Sequence, residues 1–65
     1  MDFIKLTKIL PYSKQTATLY VKVLKLNAFY ASGTTTIVEL DALTHEVIES
    51  VDDILAKIKE VDSDA

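Results

Sequence analysis

Apolar residues alternate with polar ones along most of the first 48 residues, and their spacing becomes helical after Ser50. Ser50 is a typical N-cap residue, and Asp53 occupies the return position of a capping box. Acids at the start of this segment and lysines later in it suit the helix dipole. Apolar residues three or four apart form a single stripe: Val51, Ile54, Leu55, Ile58 and Val61. The pattern predicts one amphipathic helix that packs against the rest of the chain.

Several earlier segments have the alternation and the β-branched content that are typical of strands. They cover residues 3–10, 17–23, 25–40 and 43–48. The third is long enough for a hairpin, with a tight turn at 31–33 in which Gly33 tolerates a left-handed conformation. Pro11 cannot extend a central ladder, so residues 11–16 are predicted to form a loop. The buried face changes near residue 24, which predicts a bulge or a sharp bend there.

Consecutive strands with short connections, including a two-residue turn at 41–42, indicate an antiparallel meander. We therefore predict an α+β fold: a small antiparallel β-meander of four or five strands with one C-terminal α-helix. The sheet could equally curl into a partly open barrel. Residues 1–61 are expected to form the single domain, and 62–65 a polar tail. A chain of 65 residues buries only about 60% of its unfolded surface, so close packing or oligomerisation is expected to stabilise it.

Few side chains in the sequence could carry catalysis. His45 is the only histidine, and Asp52 and Asp53 are adjacent carboxylates. A lone histidine in a strand is more often structural than a metal ligand, and acids at a helix start are explained by the dipole. The single glycine excludes a glycine-rich phosphate loop, and the absence of cysteine excludes disulfides and cysteine metal sites. We predict no enzyme activity, no cofactor, and no catalytic, cofactor-binding or metal-binding residue.

The chain does not begin with a basic region followed by a long apolar run. No apolar stretch approaches the roughly 20 residues that are needed to span a bilayer. The sequence therefore predicts neither a signal peptide nor membrane insertion, and a cytoplasmic location is the default expectation.

Charge is distributed unevenly along the chain. Residues 1–33 have five lysines and one acid, a net charge of +4, and residues 34–65 have nine acids and two lysines, a net charge of −7. Arginine, the usual side chain for bidentate contacts to phosphates and bases, is absent. Its absence and the overall charge of −3 weigh against a dedicated nucleic-acid binder. Ordinary solvated faces explain the asymmetry better than electrostatic steering of a partner does.

The sheet face opposite the helix is the predicted site of contact with a partner. Its candidate residues are Tyr20, Lys22, Leu24, Phe29 and Tyr30, with the choice between Phe29 and Tyr30 depending on register. Apolar patches usually mark interfaces, and the unpaired edges of a small sheet can pair with a second copy. We predict a homo-oligomer, most simply a dimer, that can also contact a larger protein assembly. The alternative is a small barrel that binds single-stranded nucleic acid through Tyr20, Lys22, Lys25 and Tyr30.

Three segments of the chain together resemble a family of very small bacterial and phage proteins, the FlbD-type proteins. The segments are FIKLT, LYVKVLKLNAFYASGTTTIVEL and HEVIESVDDILAKI. The residues that match the family's closing helix best are Val47, Glu49, Ser50, Asp52, Asp53, Ile54 and Ile58. Lys22 and Leu24 depart from the pattern, which tends to have asparagine and aspartate at these positions. The resemblance implies a small β-rich protein with a C-terminal helix and no catalytic residue. We therefore expect a non-enzymatic protein-interaction or assembly-modulating module of bacterial or phage origin.

Overall fold

The computed structural model describes residues 2–63, and within them the chain forms five strands, a short 3₁₀ turn and one helix. The strands are β1 (Phe3–Ile9), β2 (Thr16–Lys22), β3 (Leu26–Ser32), β4 (Thr35–Leu40) and β5 (Leu43–Val47). The 3₁₀ turn Val23–Lys25 joins β2 to β3, and helix α1 covers Val51–Ser63. All paired strands are antiparallel. The predicted α+β class, an antiparallel sheet with one C-terminal helix, is confirmed.

The order of the strands across the sheet is β2-β1-β5-β4-β3. β1 and β2 form a hairpin with seven facing residue pairs. β3, β4 and β5 form a meander through two short turns. These two units meet at the β1–β5 junction, where Lys8 faces Val47. The sheet therefore consists of two locally connected units, joined by strands that lie far apart in the sequence.

The sheet is open but curled, because its two edge strands are consecutive in the sequence. β2 and β3 lie at opposite edges, yet only the turn Val23–Lys25 separates them. Four chain steps, from Lys22 to Leu26, reach at most about 14 Å, whereas a flat sheet would place these strands about 19 Å apart. The predicted change of buried face near residue 24 occurs at this turn and at a register shift between Leu26 and Ala28.

The core lies on the inner face of the curled sheet, against α1. The side chains that are buried there alternate along the strands and are joined by one helix residue. They are Ile4, Leu6, Val21, Val38, Val47 and Ile54. Ile58 and Val61 of α1 also pack against this cluster, whereas Leu55 remains 51% exposed. Leu55 was predicted to belong to the apolar stripe, but it lies at the flank of the stripe, where the sheet does not cover it.

The start of α1 has the predicted capping box. The backbone N–H of Asp53 donates to Ser50 Oγ at 3.1 Å, and the N–H of Ser50 donates back to Asp53 Oδ2 at 3.4 Å. The helix continues to Ser63, two residues beyond the predicted domain boundary at residue 61. The last two residues of the predicted tail, 64–65, lie outside the described part of the chain.

Two turns connect the three strands of the meander. Gly33 has φ +64° and is followed by Thr34, which has no positive φ; this pattern is typical of a type II′ turn with glycine at its first central position. Asp41 has φ +46°, an uncommon conformation for a residue other than glycine. The predicted turn at 41–42 is confirmed, and Asp41 adopts there the conformation that glycine usually provides.

Candidate interaction site

The five residues predicted to form an interaction face are distributed over three parts of the molecule. Tyr20 and Lys22 lie together on the outer face of the sheet, opposite the core, and Tyr30 lies on that face at the other edge. Leu24 lies in the 3₁₀ turn and is 81% exposed. Phe29 is on the inner face and packs against the core. The structure therefore brings Tyr20 and Lys22 together and separates them from Tyr30.

Two residues outside the predicted set complete a patch on the outer face of the β1–β2 hairpin. Phe3 faces Lys22 and Lys5 faces Tyr20 across the two strands. All four side chains are exposed, Tyr20 to 64% and Phe3 to 42%. Phe3 and Lys5 could have been found in the sequence, since they alternate with Ile4 and Leu6, which belong to the core. We call this group, Phe3, Lys5, Tyr20 and Lys22, the aromatic–lysine patch.

Strand β3 is an edge strand without a single charged residue. Ser32 faces Thr35 across the two-residue turn, so this is a hydrogen-bonded pair, and the alternation makes Tyr30 and Ile37 the next one. The backbone N–H and C=O groups of Phe29 and Ala31 consequently point away from β4, toward the open edge. Edge strands are usually protected by charges, by proline or by a covering element. β3 has no charge and no proline, and only its first residues deviate from regular pairing.

A carboxylate extends the β1–β5 junction beyond the end of β5. Glu49 Oε1 accepts a hydrogen bond from the backbone N–H of Thr7 at 2.8 Å, and Glu49 Oε2 accepts one from Thr7 Oγ1 at 2.9 Å. The N–H of Ile48 donates to the Thr7 carbonyl at 3.0 Å. The carboxylate of Glu49 thus takes the position of the backbone C=O that would accept from the Thr7 N–H if β5 continued. Thr7 and Glu49 are 42 positions apart in the sequence, and no local pattern predicts a contact over that separation.

His45 lies in β5 beside Lys8, at the end of the junction where β1 and β5 separate. The two residues line a shallow cavity of about 250 Å³ together with Ile9, Pro11, Thr44 and Glu46. Partial burial of the imidazole, and next the positive charge of Lys8, lower the pKa of His45 below its ordinary value. Both effects favour the neutral imidazole of His45 over its charged form.

The acids that were considered as a paired-carboxylate site belong to the start of α1. Asp53 is engaged in the capping box, and Asp52 is exposed in the first turn. Among the side chains that the structure describes, which end at Val61, no three histidine, aspartate or glutamate side chains lie close enough together to hold a metal ion. These acids therefore have a structural explanation at the helix terminus.

Comparison with protein-family models, with curated proteins and with solved structures finds no match to this chain. The FlbD-type resemblance therefore stays a prediction. Among the helices of the described residues, none is long and apolar enough to cross a membrane. Two exposed features of the sheet are suited to contact a partner, the uncharged edge of β3 and the aromatic–lysine patch.

Proposed function

We propose that this chain is a non-enzymatic protein-interaction module that assembles with a second copy of itself through strand β3. The observation that carries the proposal is the uncharged edge of β3, with the outward N–H and C=O groups of Phe29 and Ala31. Pairing of such edges is a common route by which small sheets associate. The FlbD-type resemblance adds a bacterial or phage setting and a role in modulating a larger assembly, and the cytoplasm is the default location that we propose for it.

An antiparallel pair of β3 strands has a natural centre at Tyr30. With Tyr30 opposite its own counterpart, Phe29 faces Ala31 of the second copy and the outward backbone groups exchange hydrogen bonds. The two Tyr30 rings then lie side by side on the outer face, in the closely spaced kind of pair that favours aromatic contact. This register uses residues 28–32 and avoids the irregular start of β3.

The expected association is weak, because edge pairing buries little surface. Stable interfaces bury roughly 1,200–2,000 Å² in total, and one pair of short strands provides only part of that area. A dissociation constant in the micromolar range, about −8 kcal/mol at 1 µM, is the appropriate scale. Association of this strength responds to concentration in the range that sedimentation can measure.

Sedimentation velocity of the wild type and two tyrosine variants tests the proposal. At about 100 µM, roughly a hundredfold above a 1 µM dissociation constant, the wild type is expected to be a dimer. Tyr30→Lys places two like charges side by side at the centre of the interface and is expected to give a monomer. Tyr20→Lys is the matched control, an exposed tyrosine on the outer face of the other edge strand, and is expected to remain a dimer. A monomeric wild type contradicts the proposal, and so does equal disruption by both variants.

A second candidate function, binding of single-stranded nucleic acid, is favoured by the aromatic–lysine patch. Its two aromatic rings and two ammonium groups alternate across neighbouring strands, an arrangement suited to base stacking and phosphate contact. Of the other residues considered for this function, Lys25 lies 3.6 Å from the Asp41 carboxylate and Tyr30 is at the far edge. The lack of arginine and the net charge of −3 make this the alternative.

Fluorescence anisotropy with a labelled oligo-dT and oligo-U separates the two functions. Under the leading proposal no binding is expected at about 50 mM salt, where phosphate contacts are strong. Binding that weakens with salt and is lost in the Lys5→Ala, Lys22→Ala double variant would support the alternative. Tyr30→Lys serves as the control, because it adds a positive charge away from the patch.

A further inference from the structure

Strand β1 has one completely paired edge and one that is only partly paired. The C=O of Asp2 accepts from the N–H of Val23, and the N–H of Leu10 donates to the C=O of Gln15, so even-numbered residues direct their backbone groups toward the β2 side. By alternation, odd-numbered residues direct theirs toward the β5 side. Thr7 shows this directly, since its N–H and C=O bind Glu49 and Ile48.

The N-terminal half of β1 extends beyond the end of this contact. Phe3 and Lys5 direct their N–H and C=O groups to the same side as Thr7, where the chain has left β5 and entered α1. The strand order places no further strand at this edge within the described residues. Two donors and two acceptors of β1 therefore line an open edge that has the spacing required to pair with another strand.

The helix and this edge enclose a groove. It has a volume of about 200 Å³ and is lined by Phe3, Ile4, Lys5, Lys57, Glu60 and Val61. Three of these side chains are apolar, and the two lysines are its positive charges. Glu60, its one acid, already has an interaction of its own. The groove thus combines a strand edge, an apolar wall and two ammonium groups.

We propose that this groove binds an extended acidic peptide segment of a partner protein, which adds as a strand beside Phe3–Lys5. Strand addition suits the edge because a peptide backbone alternates donors and acceptors, as the edge does. A DNA backbone presents acceptors alone and would leave the C=O groups of β1 without partners. Carboxylates on the peptide complement Lys5 and Lys57, and its apolar side chains contact Phe3 and Val61. The proposal refines the protein-interaction function but does not depend on self-association, since β3 lies at the far edge.

The specificity of the groove follows from the same residues. Side chains of an added strand point alternately toward the outer face, where Lys5 and Phe3 lie, and toward α1, where Lys57 and Val61 lie. A segment in which acidic and apolar residues are mixed can satisfy both sides. β3 has no acidic residue, so another copy of this chain would not offer that strand as the occupant.

The test uses a peptide of sequence TVEEVVT, blocked at both ends, titrated into the ¹⁵N-labelled full chain. Its two adjacent glutamates point to opposite faces of the added strand, one toward Lys5 and one toward Lys57. The amide signals of Phe3 and Lys5 are expected to shift and saturate below roughly 1 mM. A peptide with lysine in place of both glutamates is expected to have a dissociation constant at least about tenfold higher. N-methylation of the central amides of the peptide, which removes the donors to β1, is expected to abolish binding.

Protein variants then separate the groove from other surfaces. Lys57→Glu is expected to weaken binding of the acidic peptide at least fivefold, whereas Lys14→Glu, an exposed lysine in the connection between β1 and β2, is expected to leave it unchanged. Binding to the monomeric Tyr30→Lys variant is expected to persist, which distinguishes this groove from the β3 interface. No saturation, equal binding of the lysine peptide, or shifts confined to β3 would each overturn the proposal. Preferential shifts of Phe3 and Lys5 by oligo-dT would overturn it as well.

Discussion

The two sides of strand β1 are held in different ways. Toward β2 there is a regular ladder of seven residue pairs, from Phe3 with Lys22 to Ile9 with Thr16. Toward β5 there is one pair, Lys8 with Val47, and the joint is extended by the side chain of Glu49. The difference shows that a continuous sheet can depend at one junction on a carboxylate and on the helix below it. It also explains the position of the groove between α1 and the first half of β1, because the pairing of β1 with β5 ends before that half.

Ile54→Ala is expected to lower the free energy of unfolding most among the variants that test how the two sides of β1 are held. Ile54 is fully buried between α1 and the sheet, and its truncation is expected to cost about 3 kcal/mol. A chain of this size has a total stability of roughly 3–10 kcal/mol, so the variant should melt far below the wild type or be largely unfolded. Thermal and urea denaturation followed by circular dichroism measure the change.

Leu55→Ala is the matched control for Ile54→Ala. The two residues are adjacent in α1, but Leu55 is 51% exposed, so its truncation is expected to cost less than about 1 kcal/mol. Equal losses in the two variants would show that the helix does not direct its buried stripe at the inner face of the sheet.

Next in size is the loss of the Glu49 carboxylate. Glu49→Ala removes two hydrogen bonds from a charged, half-buried acceptor and leaves the Thr7 N–H without a partner, a cost of about 2 kcal/mol. Amide hydrogen exchange should accelerate more at Thr7 and Ile48 than at Val21 in the β1–β2 ladder. Glu49→Gln keeps one acceptor of the same length and should lose clearly less stability. Uniform acceleration across the sheet would mean that the two sides of β1 open together.

The features that the sequence predicted are those that depend on near neighbours. The capping box of α1, the turn at Gly33 and the hairpin that it closes are each specified within a few residues. The place of β5 beside β1 depends on contacts across about 40 residues, such as Thr7 with Glu49, and no local pattern encodes it. The assignment of Phe29 to the core and of Tyr30 to the outer face depends on the register shift after Leu26. That shift reverses the parity of all later residues in the strand, and so alternation alone left both choices open.

A substitution in the β4–β5 turn should change the stability of the whole domain without changing the β1–β5 junction selectively. Asp41 adopts φ +46° in the β4–β5 turn, and replacing it with glycine relieves strain that costs of order 1 kcal/mol. Glycine also has greater freedom in the unfolded chain, so Asp41→Gly is expected to raise stability by about 0.5 kcal/mol. The urea midpoint should rise, while exchange at Thr7 relative to Val21 should be unchanged. A lower midpoint would show that the contact of Lys25 with Asp41 outweighs the strain.

The smallest effect is expected from the titration of His45, which lies beside Lys8 at the same junction. Burial first, and the charge of Lys8 second, lower the pKa of His45 in the folded state, so below about pH 6.5 the unfolded state takes up the proton more readily. The free energy of unfolding should therefore fall as the pH decreases from about 6.5 toward the folded-state pKa, and this contribution levels off below it. His45→Gln removes this contribution, and urea midpoints at pH 7.5 and 5.5 should differ less in the variant than in the wild type.

Lys8→Gln should reduce the wild-type difference between the two midpoints only in part, because burial, the larger cause, remains. If Lys8→Gln removed the difference completely, the charge of Lys8 rather than burial would control the proton affinity of the junction.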